Sequence, residues 1–274
     1  MVRVIQISDT HLSPTKQHFG ANWAPVVRWI AAHKPDLVIH TGDVTVDAAD
    51  QEADAAHCAE LLETLGVPVL AVPGNHDVGE VDNIHQPVNE DRLARFRRHF
   101  GADHWARDVE GWRLIGLNSM IFGGGREDAE QTEWLADTMA DAAGRRIAWF
   151  THRPLFIAAP DEGDTGYWSV KPRERRTLLD LAQRHHVQIV ATGHLHRWHD
   201  FALNGTRYIW APSSGFLVGE RMAPPMGGAT RLGAVIYDID GGKLDASIRP
   251  VEGLTDYWID DVVHEVYPPR RTMG

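Results

Sequence analysis

The chain has 274 residues, 43% of them hydrophobic, and carries a formal net charge of -11. That length and apolar content suit one large domain with a substantial core, and the acidic balance, with Lys and Arg scattered along the chain, argues against a large nucleic-acid footprint. The single cysteine, Cys58, rules out a disulfide within the chain, and no apolar run approaches the roughly 18 residues of a membrane span.

Residues 2–8 read as a first strand that empties into Asp9-Thr10-His11, with no charged and apolar leader ahead of it, so a cytoplasmic protein is expected. A loop containing His18, Phe19 and Trp23 precedes a helix expected over 25–33, and a second strand, 36–40, empties into Thr41-Gly42-Asp43. A helix over 50–65 places Cys58, Leu61, Leu62 and Leu65 at helical spacing and leads to a third apolar run, 67–72. That run empties into Pro73-Gly74-Asn75-His76-Asp77, where glycine permits a tight turn and three successive side chains can bind a metal or hydrogen-bond. Strand, polar turn and helix recur three times, which implies parallel strands joined by right-handed crossovers.

Residues 89–100 read as a basic helix whose Arg92, Arg95, Arg97 and Arg98 form a solvated face. Strand 112–118, helix 128–140 and strand 146–150 follow, the last emptying into Thr151-His152-Arg153-Pro154. The longest loop, 154–170, has no clear period and carries Asp161, Glu162, Asp164, Tyr167 and Trp168; loops of that length inside compact domains are usually functional. A helix over 171–186 leads to strand 187–192, which empties into Gly193-His194-Leu195-His196. Beyond it, 198–203 and 207–210 flank an Asn204-Gly205 hairpin signal, and 232–239 and 244–250 flank Asp240-Gly241-Gly242, so the last third is expected to be antiparallel. The domain is assigned to 1–254, and the acidic, Pro-containing tail, 255–274, has no pattern that places it.

Five strands therefore deliver metal-competent residues at their C-terminal ends: Asp9 and His11, Asp43, Asn75 and His76, His152, then His194 and His196. A period-2 pair points both side chains the same way if the chain stays extended, so Asp9/His11 and His194/His196 can each close on one centre or on two adjacent ones. His33, His57, His99, His185 and His199 fall on helices or past strand ends and are expected on the surface or in the core. Asp77, by its place in the turn, is expected to orient ligands without being one.

The order Asp-x-His, Gly-Asp, Gly-Asn-His-Asp, a lone His after a strand, and Gly-His-x-His resembles the calcineurin-like metallophosphoesterase superfamily, and within it the bacterial class III cyclic-nucleotide phosphodiesterases and glycerophosphodiesterases. The resemblance runs from residue 9 to residue 196. It implies an α/β (α+β) fold, a four-layer αββα sandwich of two mixed sheets flanked by helices, with a dimetal site at the C-terminal strand ends. It also implies two divalent metal ions per chain, with Asp9, His11 and His196 on one, Asn75, His152 and His194 on the other, Asp43 bridging them, and His76 beside the pair near the substrate phosphate. The donors are N and O with no thiolate, which suits manganese, iron, zinc or cobalt. Two such cations about 3.5–4 Å apart generate hydroxide near neutral pH and clamp phosphoryl oxygens.

The activity so implied is hydrolysis of small phosphodiesters, a 3′,5′-cyclic nucleotide or a glycerophosphodiester, by metal-activated hydroxide attacking phosphorus. A phosphomonoesterase or broad-specificity phosphatase on the same site is the alternative. A non-catalytic scaffold ranks lower because all seven ligand positions are intact, and a nuclease ranks lower because no basic groove accompanies the motifs. Asn75, His76, Tyr167 and Trp168 are expected to contact substrate, with the acidic residues of 154–170 opposing polyanions. Neither a nucleic-acid polymer nor a membrane is expected as a partner, and a homo-oligomer is left open.

Overall fold

The computed structural model describes residues 1–269. β1 (Val2–Ile7) and β2 (Leu37–His40) are apolar on both faces, as parallel strands covered on two sides must be, and Ile5 lies opposite Val38 and Ile7 opposite His40. Between them α1 (Trp23–His33) buries Trp23, Val26, Trp29 and Ile30. α2 (Glu52–Glu63) buries Cys58 and Leu62 and leads to β3 (Val69–Ala71), parallel to β2. A single helical turn, α3 (Asn75–Val78), then precedes α4 (Glu90–Phe100), which starts where the Asn89 side chain accepts from Arg92 N at 3.0 Å. The basic face of α4 is not simply solvated. Arg92 and Arg95 reach Asp50 and Glu52 at the acidic start of α2 and donate to the Ala49 carbonyl, and Arg98 also pairs with Glu52, so three of the arginines dock one helix on the other.

The second sheet starts with β4 (Trp105–Val109), antiparallel to β5 (Trp112–Leu117) through a turn in which Glu110 and Gly111 have φ of 44° and 82°. β4 escapes the sequence pattern because its middle residues are exposed on an edge and show no apolar run. α5 (Arg126–Ala140), β6 (Arg146–Thr151), α6 (Pro172–Arg184), β7 (Val187–Thr192), β8 (His199–Leu203) and β9 (Thr206–Trp210) follow. β10 (Ala234–Asp240) and β11 (Lys243–Arg249) return to the first sheet, where β10 pairs antiparallel with β1. α7 (Ile259–Val266) lies in the region left unplaced by the sequence, and residues 270–274 of that tail fall outside the described residues.

The sheet orders are β11-β10-β1-β2-β3 and β4-β5-β6-β7-β9-β8. Val4, Ile39, Trp105, Phe150, Ile209 and Tyr237 fill the space between the two sheets; Leu135, Trp149 and Leu178 pack α5 and α6 on one outer face, and Ile5, Ile30 and Leu62 pack α1 and α2 on the other. This is the expected αββα sandwich of two mixed sheets. The last third is not uniformly antiparallel, however. β8 takes the edge and β9 inserts between it and β7, so β9 runs parallel to β7 with Thr192 opposite Trp210. The C-terminal end of β9 therefore opens on the same edge as those of β6 and β7. Among the described residues, no helix is long and apolar enough to cross a membrane.

Candidate metal centre

The residues just past β1, β2, β3, β6 and β7 converge on one edge of the sandwich. Carboxylate and imidazole atoms within 4.8 Å of one another form three overlapping groups: Asp9 with His11 and His196, His11 with Asp43 and His76, and Asp43 with His152 and His194. Asn75 joins the third, its Oδ1 3.3 Å from His152 Nε2. Asp43 stands between them. Its Oδ2 lies 3.3 Å from His152 Nε2 and 3.7 Å from His11 Nε2, and its Oδ1 accepts from His76 N at 2.9 Å. All of these residues are buried except His76, which is half-buried at the open side.

The pairs do not converge by extended alternation. Asp9, His11, Asp43, His194 and His196 take left-handed backbone, with φ of 53°, 43°, 51°, 69° and 52°. Each such residue costs roughly 1–2 kcal/mol, so neighbouring backbone must hold it. Asp9 N donates to Gly42 O, His11 N to Asp43 O and Leu12 N to Val44 O, which zips the first two turns together. His194 and His196 part company, one joining His152 and the other Asp9, whereas Asp9 and His11 stay in one group. Close approach also fixes two glycines: a Cβ on Gly74 would stand 2.2 Å from Asp43 Oδ1, and one on Gly193 would stand 2.0 Å from Ser8 Oγ and 2.7 Å from Asp9 Oδ2. Asp77 accepts from Gly74 N, Val44 N, Thr45 N and Thr45 Oγ1 at 2.9–3.2 Å, tying the Asp43 turn to the Asn75 turn from below.

The imidazoles use an outer nitrogen for a hydrogen bond and turn the inner one to the centre. His152 Nδ1–H donates to Thr41 O, His196 Nδ1–H to Phe216 O and His194 Nε2–H to Tyr167 O, each at 2.8 Å; carbonyls only accept, so the protons are placed. The inner atoms of His194 and His196 are then lone pairs, and His152 Nε2, beside the Asp43 carboxylate, holds the proton that a cation would displace. His11 Nε2 is buried with no hydrogen-bond partner, and His194 Nδ1 faces His152 Nε2 at 3.1 Å. Such acceptors are costly to bury unless a cation or proton sits among them. Burial lowers the His152 imidazole, but the Asp43 and Asp9 carboxylates outweigh it and push it up to about 9. Burial holds His11 and His194 well below the ordinary imidazole range, as neutral donors. An all-N/O donor set that includes the unpartnered, inward-facing His11 Nε2 fits divalent cations.

In the long loop, Tyr167 stands over the centre, 41% exposed, its ring centroid 4.5 Å from that of His194 and its Oη 3.4 Å from Asn75 Nδ2. Trp168 lies behind it, edge-on at 5.1 Å, packed with Ile157, Leu195 and Trp210. Trp23 is core, and Trp198 is packed beside the core with Arg231 over its ring. Glu162 does not present its charge to the site as expected: its carboxylate accepts from the backbone N–H groups of Ile157, Ala158 and Ala159 and pairs with buried Arg175. A loop covering apolar side chains has to satisfy its own amides, and Glu162 does so. Asp161 and Asp164 remain exposed.

Sequence reasoning missed the loop after β9 and the tail. Ser213 Oγ donates to Asp9 O at 2.8 Å, and the Phe216 ring lies 4.5 Å from His11 and 4.3 Å from His196. Once β9 is recognised as parallel to β7, Ser213-Ser214-Gly215 is the polar turn of a sixth strand and marks the place. Tyr267 Oη lies 2.7 Å from His11 Nδ1, and no local signal announces it.

A family model described as calcineurin-like phosphoesterase matches residues 2–198. The 3′,5′-cyclic adenosine monophosphate phosphodiesterase CpdA of Escherichia coli (strain K12) is 30% identical over 228 residues, 78% of this chain and 76% of that protein. A probable glycerophosphodiester phosphodiesterase, GpdQ of Arcobacter nitrofigilis, is 30% identical over 209 residues, 71% of each. Among solved structures, a dimetal phosphatase from Danio rerio matches with a TM-score of 0.63 over 91% of this chain and 96% of that one, at 14% identity, a likeness of fold alone. With the family model spanning most of the chain and the donors of its five motif turns brought to one edge, the chain belongs to the calcineurin-like phosphoesterases and is a metallophosphoesterase.

Proposed function

We propose that this metallophosphoesterase hydrolyses small phosphodiesters at two divalent cations, with 3′,5′-cyclic nucleotides and glycerophosphodiesters as leading substrates. The convergence of two donor groups on Asp43 supports the metal reading, and the two relatives named for a cyclic nucleotide and a glycerophosphodiester support the ester class. Asp9, His11 and His196 would hold one cation, Asn75, His152 and His194 the second, and Asp43 both; manganese, iron, zinc and cobalt all suit these donors. When bound, such a pair polarises phosphoryl oxygens and acidifies a nearby water.

The chain's own residues do the rest. The Thr41, Phe216 and Tyr167 carbonyls hold three imidazoles in the tautomer that aims a lone pair inward. His76, with its ring 5.1 Å from that of His11, is placed to bind the phosphate or to protonate the leaving oxygen. Tyr167, backed by Trp168, would wall the side where a leaving group lies, and selectivity among esters would come from such walls, since cations held at these donors would contact the phosphoryl group.

The test is a substrate panel on manganese-loaded protein: 3′,5′-cyclic AMP, a glycerophosphodiester, bis-p-nitrophenyl phosphate and p-nitrophenyl phosphate. Higher kcat/KM for diesters than for the monoester is expected. A clear preference for the monoester would replace the diester reading with that of a phosphatase.

A further inference from the structure

The last described segment of the chain reaches into the metal centre. α7 buries Ile259 and Val266 with Phe19, Val46 and Phe216. It is tied down by Ile259 N to Leu217 O at 3.0 Å, Gly219 N to Asp260 Oδ2 at 2.8 Å and Lys16 Nζ to Val266 O at 2.6 Å. Tyr267 follows directly, its N–H still donating to Val263 O at 2.7 Å, so the end of the helix delivers its side chain. The Tyr267 ring lies 4.4 Å from that of His76 at an interplanar angle of 30°, and its hydroxyl meets His11 Nδ1.

His11 differs from the other three inward-facing imidazoles. Their outer N–H groups donate to backbone carbonyls, which cannot donate back and so leave one tautomer. His11 relies on a side-chain hydroxyl from a residue 256 positions away. A hydroxyl can donate or accept, and only the second choice leaves His11 Nε2 as a lone pair. The surroundings decide between them. If Nε2 carried the proton it would need an acceptor, and the Asp43 carboxylate oxygen is 3.7 Å away, beyond hydrogen-bond reach. Nε2 is buried and without a hydrogen-bond partner, as a lone pair aimed at a cation would be.

We propose that Tyr267 is a positioning residue of the metal centre: its hydroxyl accepts from His11 Nδ1–H, holds Nε2 toward the cation shared with Asp9 and His196, and makes the affinity of that site depend on the docking of the C-terminal helix. The proposal rests on the reading of His11 as a ligand. Tyr267→Phe separates the two contributions of the residue, because it removes the oxygen and keeps the ring that packs on His76.

Metal-stripped wild type, Tyr267→Phe and His11→Ala are titrated with manganese, bound metal per chain is counted by elemental analysis, and the melting temperature of each stripped protein is recorded. Stripped Tyr267→Phe should melt only slightly below wild type, as the loss of one part-buried hydrogen bond costs, fill one of its two sites about 10–100-fold more weakly, and regain wild-type kcat at saturating manganese. His11→Ala should lose that site outright. If Tyr267→Phe binds both ions with wild-type affinity while His11→Ala loses one, the positioning role is overturned and the ligand reading stands. If stripped Tyr267→Phe melts well below wild type and kcat stays low at saturating metal, the hydroxyl is a structural contact and the proposal also fails. If His11→Ala still binds two ions tightly, the ligand reading fails and the proposal falls with it.

Discussion

His194 Nδ1 and His152 Nε2 face each other at 3.1 Å in a pocket where both residues are buried. The outer nitrogens of both rings donate to carbonyls, so without a cation the facing atoms share one proton or hold two repelling lone pairs. The folded protein should therefore be more stable loaded than stripped. Free manganese at 100 times its dissociation constant should add about 2.7 kcal/mol per site. Calorimetric melting with and without chelator checks this, and an unchanged melting temperature would mean that the pocket takes up no cation.

Asp43 touches both donor groups whereas Asn75 touches one, so their removal should differ. Asp43→Ala should lower the occupancy of both ions, and Asn75→Ala mainly that of one. Elemental analysis after dialysis at limiting metal separates the two, and full occupancy in Asp43→Ala would show the bridging assignment to be wrong.

His76 is the half-buried member of the cluster, and its backbone N–H, not its ring, bonds Asp43. His76→Ala should keep both ions and lose about 10²–10⁴ in kcat, the usual worth of a positioned acid. Loss of an ion together with activity would make His76 a ligand instead.

Tyr167 faces the centre and Trp168 supports it from the core side. Tyr167→Ala should change the ratio of kcat/KM between cyclic AMP and a glycerophosphodiester about tenfold, at little expense in melting temperature. Trp168→Ala should shift the same ratio and also lower the melting temperature, because it leaves a gap beside Ile157 and Leu195. An unaltered ratio in both variants would take the loop out of substrate selection.

Asp103, buried beside β4, supplies a pH dependence away from the metal centre. Burial alone would raise its carboxyl, but His104, Arg97 and Asn118 together outweigh burial and hold it below the usual carboxylate range. A group whose folded pKa is depressed contributes stability that is present above the unfolded value, near pH 4, and is lost as pH falls toward the folded value. Asp103→Asn should therefore be less stable than wild type at neutral pH and lose less on acidification below about pH 4. Denaturant unfolding across that range measures the slope, and parallel curves for the two proteins would rule out the linkage.

Much of this was legible in the chain because the relevant signals are local. Apolar runs such as 2–8 and 187–192 declare buried parallel strands, and the polar residues that interrupt them, Asp9 and His11 or His194 and His196, are set within a few bonds of the strand ends. The donor types narrow the metals, and the order of the five motifs carries the resemblance that implies phosphoester chemistry. Tertiary structure decided the backbone turns that bring those donors together. His194 and His196, both in left-handed turns, go to different groups, whereas Asp9 and His11, also left-handed, stay in one. The direction of β9 depended on its insertion beside β7, a pairing between segments that a hairpin signal does not specify, and it brought Ser213 and Phe216 beneath the centre. Glu162 turned inward because Arg175 and three loop amides were waiting for a carboxylate. Tyr267 reached His11 because α7 packs on Phe19 and Phe216, a contact between the two ends of the chain that no short-range pattern in either end encodes.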